Sequence, residues 1–321
     1  MSQVALLSVE DLSVEFRTRT GTVKALDGVG FTLARGETLG IVGESGSGKS
    51  VTAFAIMRIL DPAARVTGGR IVFGGLDVVK ASENDMQEVR GREASMIFQN
   101  PRAALNPIRM VGKQIEDVLV RHANVTRPMA AGRAVEALAA VRIPDPERRA
   151  RAYPFELSGG MCQRIMIAMA LACSPALLIA DEPTTGLDVT TQAAVMDLIA
   201  DLAAERQMGT LLITHDLGMA VDYCDRIAVM HAGHIVEIGP AAKIFRNPRH
   251  PYTRKLIAAT PHAGARLSAL ASIPGGLPDL RRDDLPTCRY SARCERRDEV
   301  CSAPLPRVGP PIHLVACHHP L

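Results

Sequence analysis

The stretch Gly43-Glu-Ser-Gly-Ser-Gly-Lys-Ser50 decides the fold. It satisfies the pattern G-x-x-x-x-G-K-[ST], in which glycines let backbone N–H groups turn inward around phosphate oxygens. Glu37-Thr-Leu-Gly-Ile-Val-Gly43 is a short apolar run that predicts a buried strand before the loop, and Val51 to Leu60 predict an apolar helix after it. Strand, glycine turn and helix in that order bring a helix N-terminus, with its partial positive charge, up to bound phosphate. Gly43, Glu44, Ser45, Gly46, Ser47 and Gly48 are therefore expected to wrap a nucleotide, with Thr52 contributing from the helix. Lys49 is expected to reach the β- and γ-phosphates, and Ser50 to ligate Mg²⁺.

Further along, Leu177-Leu-Ile-Ala-Asp181-Glu182 is a buried-type strand ending in two carboxylates. A carboxylate in that place holds Mg²⁺, usually through water, which assigns Asp181. Glu182 is positioned to orient and deprotonate an attacking water. Either acid by itself would more often be a solvated strand end; beside a phosphate loop the functional assignment prevails. Thr210-Leu-Leu-Ile213 is another buried-type strand, and such runs suit a parallel sheet covered on both faces. Arg226-Ile-Ala-Val-Met230 and His234-Ile-Val-Glu-Ile238 flank Gly233 and read as a hairpin. Helix-like stretches around 111–120 and 129–141 place a small helical subdomain at about 102–170. The fold class is α/β, with no internal repeat and hence one cassette in the chain.

Composition bounds what the chain can do. Its 321 residues are 47% hydrophobic and 22% charged, an ordinary globular balance, and a net charge of +3 gives no global positive field for nucleic acid. Seven cysteines, an odd count, fit a disulfide framework poorly. The N-terminus shows no secretory pattern. The longest uncharged run, Ile165 to Ala180, is too short for a membrane span and contains Ser174-Pro175. A cytosolic location, with reduced thiols, is expected. The balance shifts near residue 246: from Arg246 to Leu321 there are 12 Lys+Arg and 6 Asp+Glu, a net +6, with 11 of the 21 prolines. The expected division is an ATPase domain over 1–245 and a separate loop-rich tail over 246–321.

Leu157-Ser-Gly-Gly-Met161 resembles the ABC-ATPase signature, usually written LSGGQ. Other elements of that family occur in order. Phe16 matches the aromatic that stacks on adenine, Gln99 the glutamine that senses Mg²⁺ and faces the membrane partner, Thr185-Gly-Leu-Asp188 the loop crossing the dimer interface, and His215 the histidine contacting the γ-phosphate. The resemblance implies a cassette with a RecA-like parallel-sheet core, an antiparallel β subdomain and a helical subdomain. It implies that Ser158, Gly159, Gly160 and Met161, with Asp188, meet ATP held by a partner subunit, and that Glu182 and His215 serve hydrolysis. Leu157-Ser-Gly-Gly-Met-Cys-Gln-Arg-Ile-Met-Ile-Ala-Met-Ala170, Asn247-Pro-Arg-His-Pro-Tyr-Thr253 and Ile273-Pro-Gly275 resemble the oligopeptide/dipeptide branch of importer ATPases. Cys162 stands where that branch usually has Arg, which implies altered electrostatics at the dimer interface. The branch implies a second, related but different ATPase subunit, two transmembrane permease subunits and an extracytoplasmic substrate-binding protein. It places the chain peripherally at the cytoplasmic face of the inner membrane. The expected function is an ATP-driven motor for peptide uptake. Nickel or glutathione-like cargo is the alternative, and a soluble non-transport ATPase the rival class.

The cysteines divide into three and four. Cys162, Cys173 and Cys224 read as small buried residues. Cys288, Cys294, Cys301 and Cys317 lie in the tail, a short Pro- and Arg-rich stretch expected to need a staple. Disulfides are disfavoured in the cytosol, which leaves a metal centre. Four cysteines suit zinc or an iron–sulfur cluster. The resemblance to the oligopeptide branch, whose tails carry this pattern, favours a [4Fe–4S] cluster, with zinc as runner-up and free thiols the third possibility. His313, His318 and His319 stand near enough to replace or support a ligand.

Overall fold

The structure, a computed structural model, describes residues 5–260 and 272–321. Its contacts divide the chain into two units: the chain through Lys80 together with everything from Leu212 onward, and the inserted segment Ala81–Leu211.

The first unit opens with β1 (Leu7–Thr18) and β2 (Gly21–Leu33), an antiparallel hairpin. In β1, Leu7 and Val9 point inward on the two-residue period, but the next buried residues are Leu12 and Val14. A bulge between Val9 and Leu12, where Asp11 takes φ 46°, inserts the extra residue that turns the strand's apolar face back to the core. Then come β3 (Thr38–Val42), α1 (Lys49–Met57), β4 (Ala64–Phe73) and β5 (Leu76–Asp77). The order β2-β1-β4-β5 makes an antiparallel sheet. The strand, turn and helix predicted around the phosphate loop are β3 and α1.

The inserted unit comprises α2 (Glu83–Val89), β6 (Ala94–Ile97), α3 (Pro101–Ala104), α4 (Val111–His122), α5 (Arg127–Ala140), α6 (Pro146–Arg149), α7 (Gly159–Leu171), β7 (Leu177–Asp181) and α8 (Val189–Arg206). The strand β8 (Gly209–Thr214) leads out of it. All of β6 and β7 is buried and the two run parallel, Ala94 beside Leu177 and Ile97 beside Ala180. On α4, Val111, Ile115 and Leu119 recur every four residues and are buried; on α5, Ala130, Ala134 and Leu138 do the same. The small alanines let α5 lie close to α4. α4, α5, α6 and all but the last residue of α7 fall between 102 and 170.

Back in the first unit the chain forms α9 (Leu217–Tyr223), β9 (Arg226–His231), β10 (His234–Pro240), α10 (Ala241–Arg246), α11 (Pro251–Ala259), β11 (Arg307–Val308) and β12 (Leu314–Ala316). β9 runs parallel to β3, and β9 and β10 form the predicted hairpin. Its two turn residues, Ala232 and Gly233, have φ 48° and 85°, the conformation that suits the right-handed twist of the strands.

The described part of the tail clusters with the first unit. β12 pairs antiparallel with β10, Val315 beside Glu237, and β11 pairs with β12. Tyr252 and Tyr290 are 0% and 2% exposed, among the largest buried side chains of the protein. The change in composition at residue 246 marks a change to loop-rich chain.

Candidate nucleotide site and cysteine centre

The phosphate loop is a tight backbone turn. Gly46 and Gly48 have φ 78° and 105°, a region that side chains rarely adopt. A Cβ at Gly43 would lie 2.2 Å from Met230 O, and one at Gly48 2.7 Å from Leu26 Cδ2. Lys49 is 5% exposed, and its ammonium donates to Gly43 O (2.9 Å) and Glu44 O (3.1 Å), across the loop. Ser47 Oγ is buried with no hydrogen-bond partner, an orphaned donor inside the turn that a phosphate oxygen would satisfy. Ser45 and Gly46 are exposed, and Ser50 is half-buried at the helix start. Thr52 is placed differently from expectation. It is fully buried and its hydroxyl donates to Gly48 O (3.1 Å), so it braces the loop from behind. Phe16 is half-buried in β1 and His215 is exposed just after β8.

The inserted unit carries the other half of the predicted set. Asp181 ends β7 and is 4% exposed. Glu182, the next residue, has φ 47°, a strained conformation for a side-chain-bearing residue. Its carboxylate accepts from Gln99 Nε2 (2.8 Å) and Thr185 Oγ1 (2.9 Å). Gln99 and Glu182, separate predictions from the sequence, thus share one hydrogen bond. Ser158 is the N-cap of α7 and accepts from Met161 N (3.3 Å), leaving the first-turn Gly159 and Gly160 half-buried. A Cβ at Gly160 would come within 3.2 Å of Thr191 Cγ2 on α8, whereas at Gly159 nothing lies within 4 Å. Asp188 caps α8 through Thr191 N (3.0 Å) and Thr191 Oγ1 (2.7 Å), which hold its carboxyl below the usual carboxylate range. Cys162 faces inward. It is 0% exposed, its thiol points at Pro154 O (3.4 Å), and burial pushes that thiol's pKa up. Cys224 is likewise buried, its thiol pushed up to about 12, while Cys173 is only half-buried.

In the tail, Cys288, Cys294, Cys301 and Cys317 line a single cavity together with Tyr290 and His250. Burial and, secondarily, the three neighbouring thiols push Cys288 up to about 11. Four cysteines lining one cavity fit a metal centre that would bind them as thiolates. Asp298, Cys301 and His319 also have donor atoms within 4.8 Å of one another, His319 Nε2 lying 2.7 Å from Asp298 Oδ2. His318 lines the same cavity. His313 is committed elsewhere: it is 5% exposed and pairs with Glu237 Oε1 at 2.7 Å. The remaining Glu237 contacts explain the Asn247–Thr253 motif. Its two carboxylate oxygens accept from Arg249 N (2.8 Å) and His250 N (2.9 Å), and His250 Nδ1 in turn accepts from Tyr252 N (3.0 Å).

Sequence reasoning missed what lies against Glu44. Its N–H donates to the Tyr252 hydroxyl (3.1 Å), and its carboxylate accepts two bonds from Arg293 (2.7 and 2.9 Å). These partners stand 208 and 249 residues away, and no local pattern marks them.

A family profile described as ABC transporter matches residues 26–185, and one described as the oligopeptide/dipeptide transporter C-terminal region matches 236–301. The chain is 48% identical to a probable peptide ABC transporter ATP-binding protein of Sinorhizobium fredii, covering 97% of this chain and 94% of that one. It is 52% identical to the oligopeptide transport ATP-binding protein OppD of Bacillus subtilis (86% and 77% covered) and 46% identical to OppD of Escherichia coli (99% and 94%). Among solved structures it resembles a dimeric ATP-binding cassette in a post-hydrolysis state bound to ADP and Pi, with TM-score 0.65 and 26% identity over 73% of this chain and 98% of that one.

Proposed function

Because this chain belongs to the ABC transporter family, in its oligopeptide/dipeptide branch, we propose that it is the ATP-hydrolysing motor of a peptide importer. The observation that carries this reading is a likeness to peptide-transport ATP-binding proteins spanning nearly the whole chain, cassette and tail alike. The phosphate loop Gly43–Ser50 holds the triphosphate, with Lys49 released from Gly43 O and Glu44 O to reach the β- and γ-phosphates. Phe16 would stack on the adenine, and Ser50, Gln99 and Asp181 are the residues that would hold Mg²⁺, whose charge would offset that of the phosphates. Glu182 takes the proton of the attacking water, and His215 contacts the γ-phosphate. The hydrogen bond from Gln99 to Glu182 lets the residue that would sense Mg²⁺ also set the position of the base. Ser158, Gly159, Gly160 and Met161, with Asp188, meet the ATP of a second ATPase subunit. ATP binding then favours the closed pair and hydrolysis releases it.

Among the described residues no helix is long and apolar enough to cross a membrane. We assign the transport path to partner permease subunits, fed by a substrate-binding protein, on the likeness to peptide-transport ATP-binding proteins. Phe98, beside Gln99, and Phe155, just before the signature, are 40% and 74% exposed and offer apolar anchors for that contact. We assign the four tail cysteines to a [4Fe–4S] cluster, which would tie the tail loops together; the shared cavity supports this. The mixed donors Asp298, Cys301 and His319 support zinc as the alternative. The Glu182→Gln protein is expected to bind MgATP as the unaltered protein does and to lose turnover by at least about a hundredfold, since general-base catalysis contributes 10²–10⁴-fold. Hydrolysis at an unchanged rate would remove Glu182 from its role.

A further inference from the structure

The phosphate loop is held from outside by the cysteine-bearing tail. Arg293, immediately before Cys294, is only 8% exposed and its guanidinium makes four hydrogen bonds. Nη1 and Nη2 donate to the two Glu44 oxygens (2.7 and 2.9 Å), Nη1 also lies 3.2 Å from His231 Nε2, and Nε donates to Pro274 O (2.8 Å). His231 is 0% exposed and kept neutral by burial, so its ring nitrogen accepts from Arg293. The second hold is Tyr252, whose hydroxyl oxygen accepts the Glu44 N–H (3.1 Å). Its ring lies 5.3 Å from that of Tyr290, centroid to centroid, which itself lines the cysteine cavity. The tail also touches the tip of the loop: a Cβ on Gly46 would sit 3.3 Å from Leu277 Cδ1.

We propose that Arg293 and Tyr252 are positioning residues for the nucleotide: by clamping Glu44, they fix the loop in the shape that receives phosphate. Three features point to positioning and not to surface pairing. The pair is bidentate and its arginine is buried, which makes it strong and directional. Both ends of one residue, its N–H and its carboxylate, are held by separate tail elements. That residue lies inside the turn whose N–H groups must converge on the ligand, where a small displacement misaligns all of them. The clamp also gives the cysteine centre a physical route to the loop, through Tyr290 and the Arg293–Cys294 junction.

The proposal rests on the ATPase reading, and the experiment separates the two. Equilibrium binding of MgATP to the purified full chain is measured, together with the rise in unfolding temperature that MgATP produces. Arg293→Ala is expected to weaken MgATP binding about tenfold, the loss typical of a charge-assisted pair, and to shrink the ATP-induced rise. Arg293→Lys, which keeps charge but loses the fork, is expected to fall between. Glu44→Gln is expected to weaken binding comparably, and Arg293→Ala added to it to weaken binding little further, because both break one contact. An Arg293→Ala protein that unfolds at lower temperature yet binds MgATP with unaltered affinity would overturn the proposal and leave a purely structural pair. If Arg293→Ala fails to fold, Glu44→Gln with Arg293 intact decides: unchanged affinity overturns the clamp. Failure of the unaltered chain to bind MgATP removes the ATPase reading itself, and the clamp with it.

Discussion

Two buried histidines behind the phosphate loop set how the protein responds to acid. Burial pushes His231 down to about 4 and His250 down to about 3. In the neutral rings His231 Nε2 and His250 Nδ1 accept from Arg293 and from Tyr252 N, so a second proton on either ring would displace a donor. The unfolded chain takes up those protons near the ordinary histidine value of about 6.5. Stability is therefore present at neutral pH and lost as pH falls from about 6.5 towards 4 and then 3. Glu44 acts in the same direction: the Arg293 bond holds its carboxyl below the usual range, and that contribution fades as pH falls through the carboxylate range. Urea unfolding at a series of pH values between 7 and 4 is expected to show a steady fall in midpoint. A His231→Gln protein is expected to show a shallower fall. None of this was legible in the sequence. A histidine's environment comes from residues such as Tyr252 and Tyr290, whose rings lie 4.7 and 5.3 Å from His231 and far from it in the chain.

At the scale of elements, the signature helix shows one residue serving two purposes. Ser158 caps α7 by accepting from Met161 N, and the proposed function also gives it a partner's ATP. The two roles separate by substitution. Ser158→Ala is expected to lower stability by about 1 kcal/mol, the usual value of an N-cap, and to lower turnover. Ser158→Asn keeps a capping oxygen and is expected to keep stability while turnover falls, because it removes the hydroxyl that would meet the phosphate and puts a longer amide in its place. Thermal unfolding and steady-state ATP hydrolysis on the same samples read both effects. The core elements of the cassette were legible because their signals are local. β3, the loop and α1 are contiguous, β7 is a short apolar run ending in acids, and Gly233 marks the β9–β10 hairpin. The pairing of β12 with β10 was not, since three residues of strand carry no readable period.

For the whole molecule, the tail turns from an appendage into part of the core of one unit. Arg289 reaches Lys24 O (3.2 Å), Ala232 O (2.5 Å) and Asp27 (2.8 Å), while Arg293 holds Glu44. The positive charge of the tail, +6 from Arg246 onward, is partly spent on these internal contacts. If a metal centre ties the tail loops, its loss is expected to loosen the tail and lower the unfolding temperature of the full chain. Anaerobically purified protein is expected to contain iron and acid-labile sulfide in equal amounts and to absorb visible light. Stoichiometric zinc in colourless protein would overturn the cluster assignment. By itself, the sequence determined the cassette, its phosphate loop, its acids and the set of four cysteines, because each is a short run whose chemistry depends on neighbours in the chain. Only the tertiary structure decided that the four cysteines share one cavity, that Cys162 faces inward, and that Glu44 is gripped by residues more than two hundred positions away. Such contacts are fixed by packing of distant elements, and packing leaves no periodic trace in the sequence.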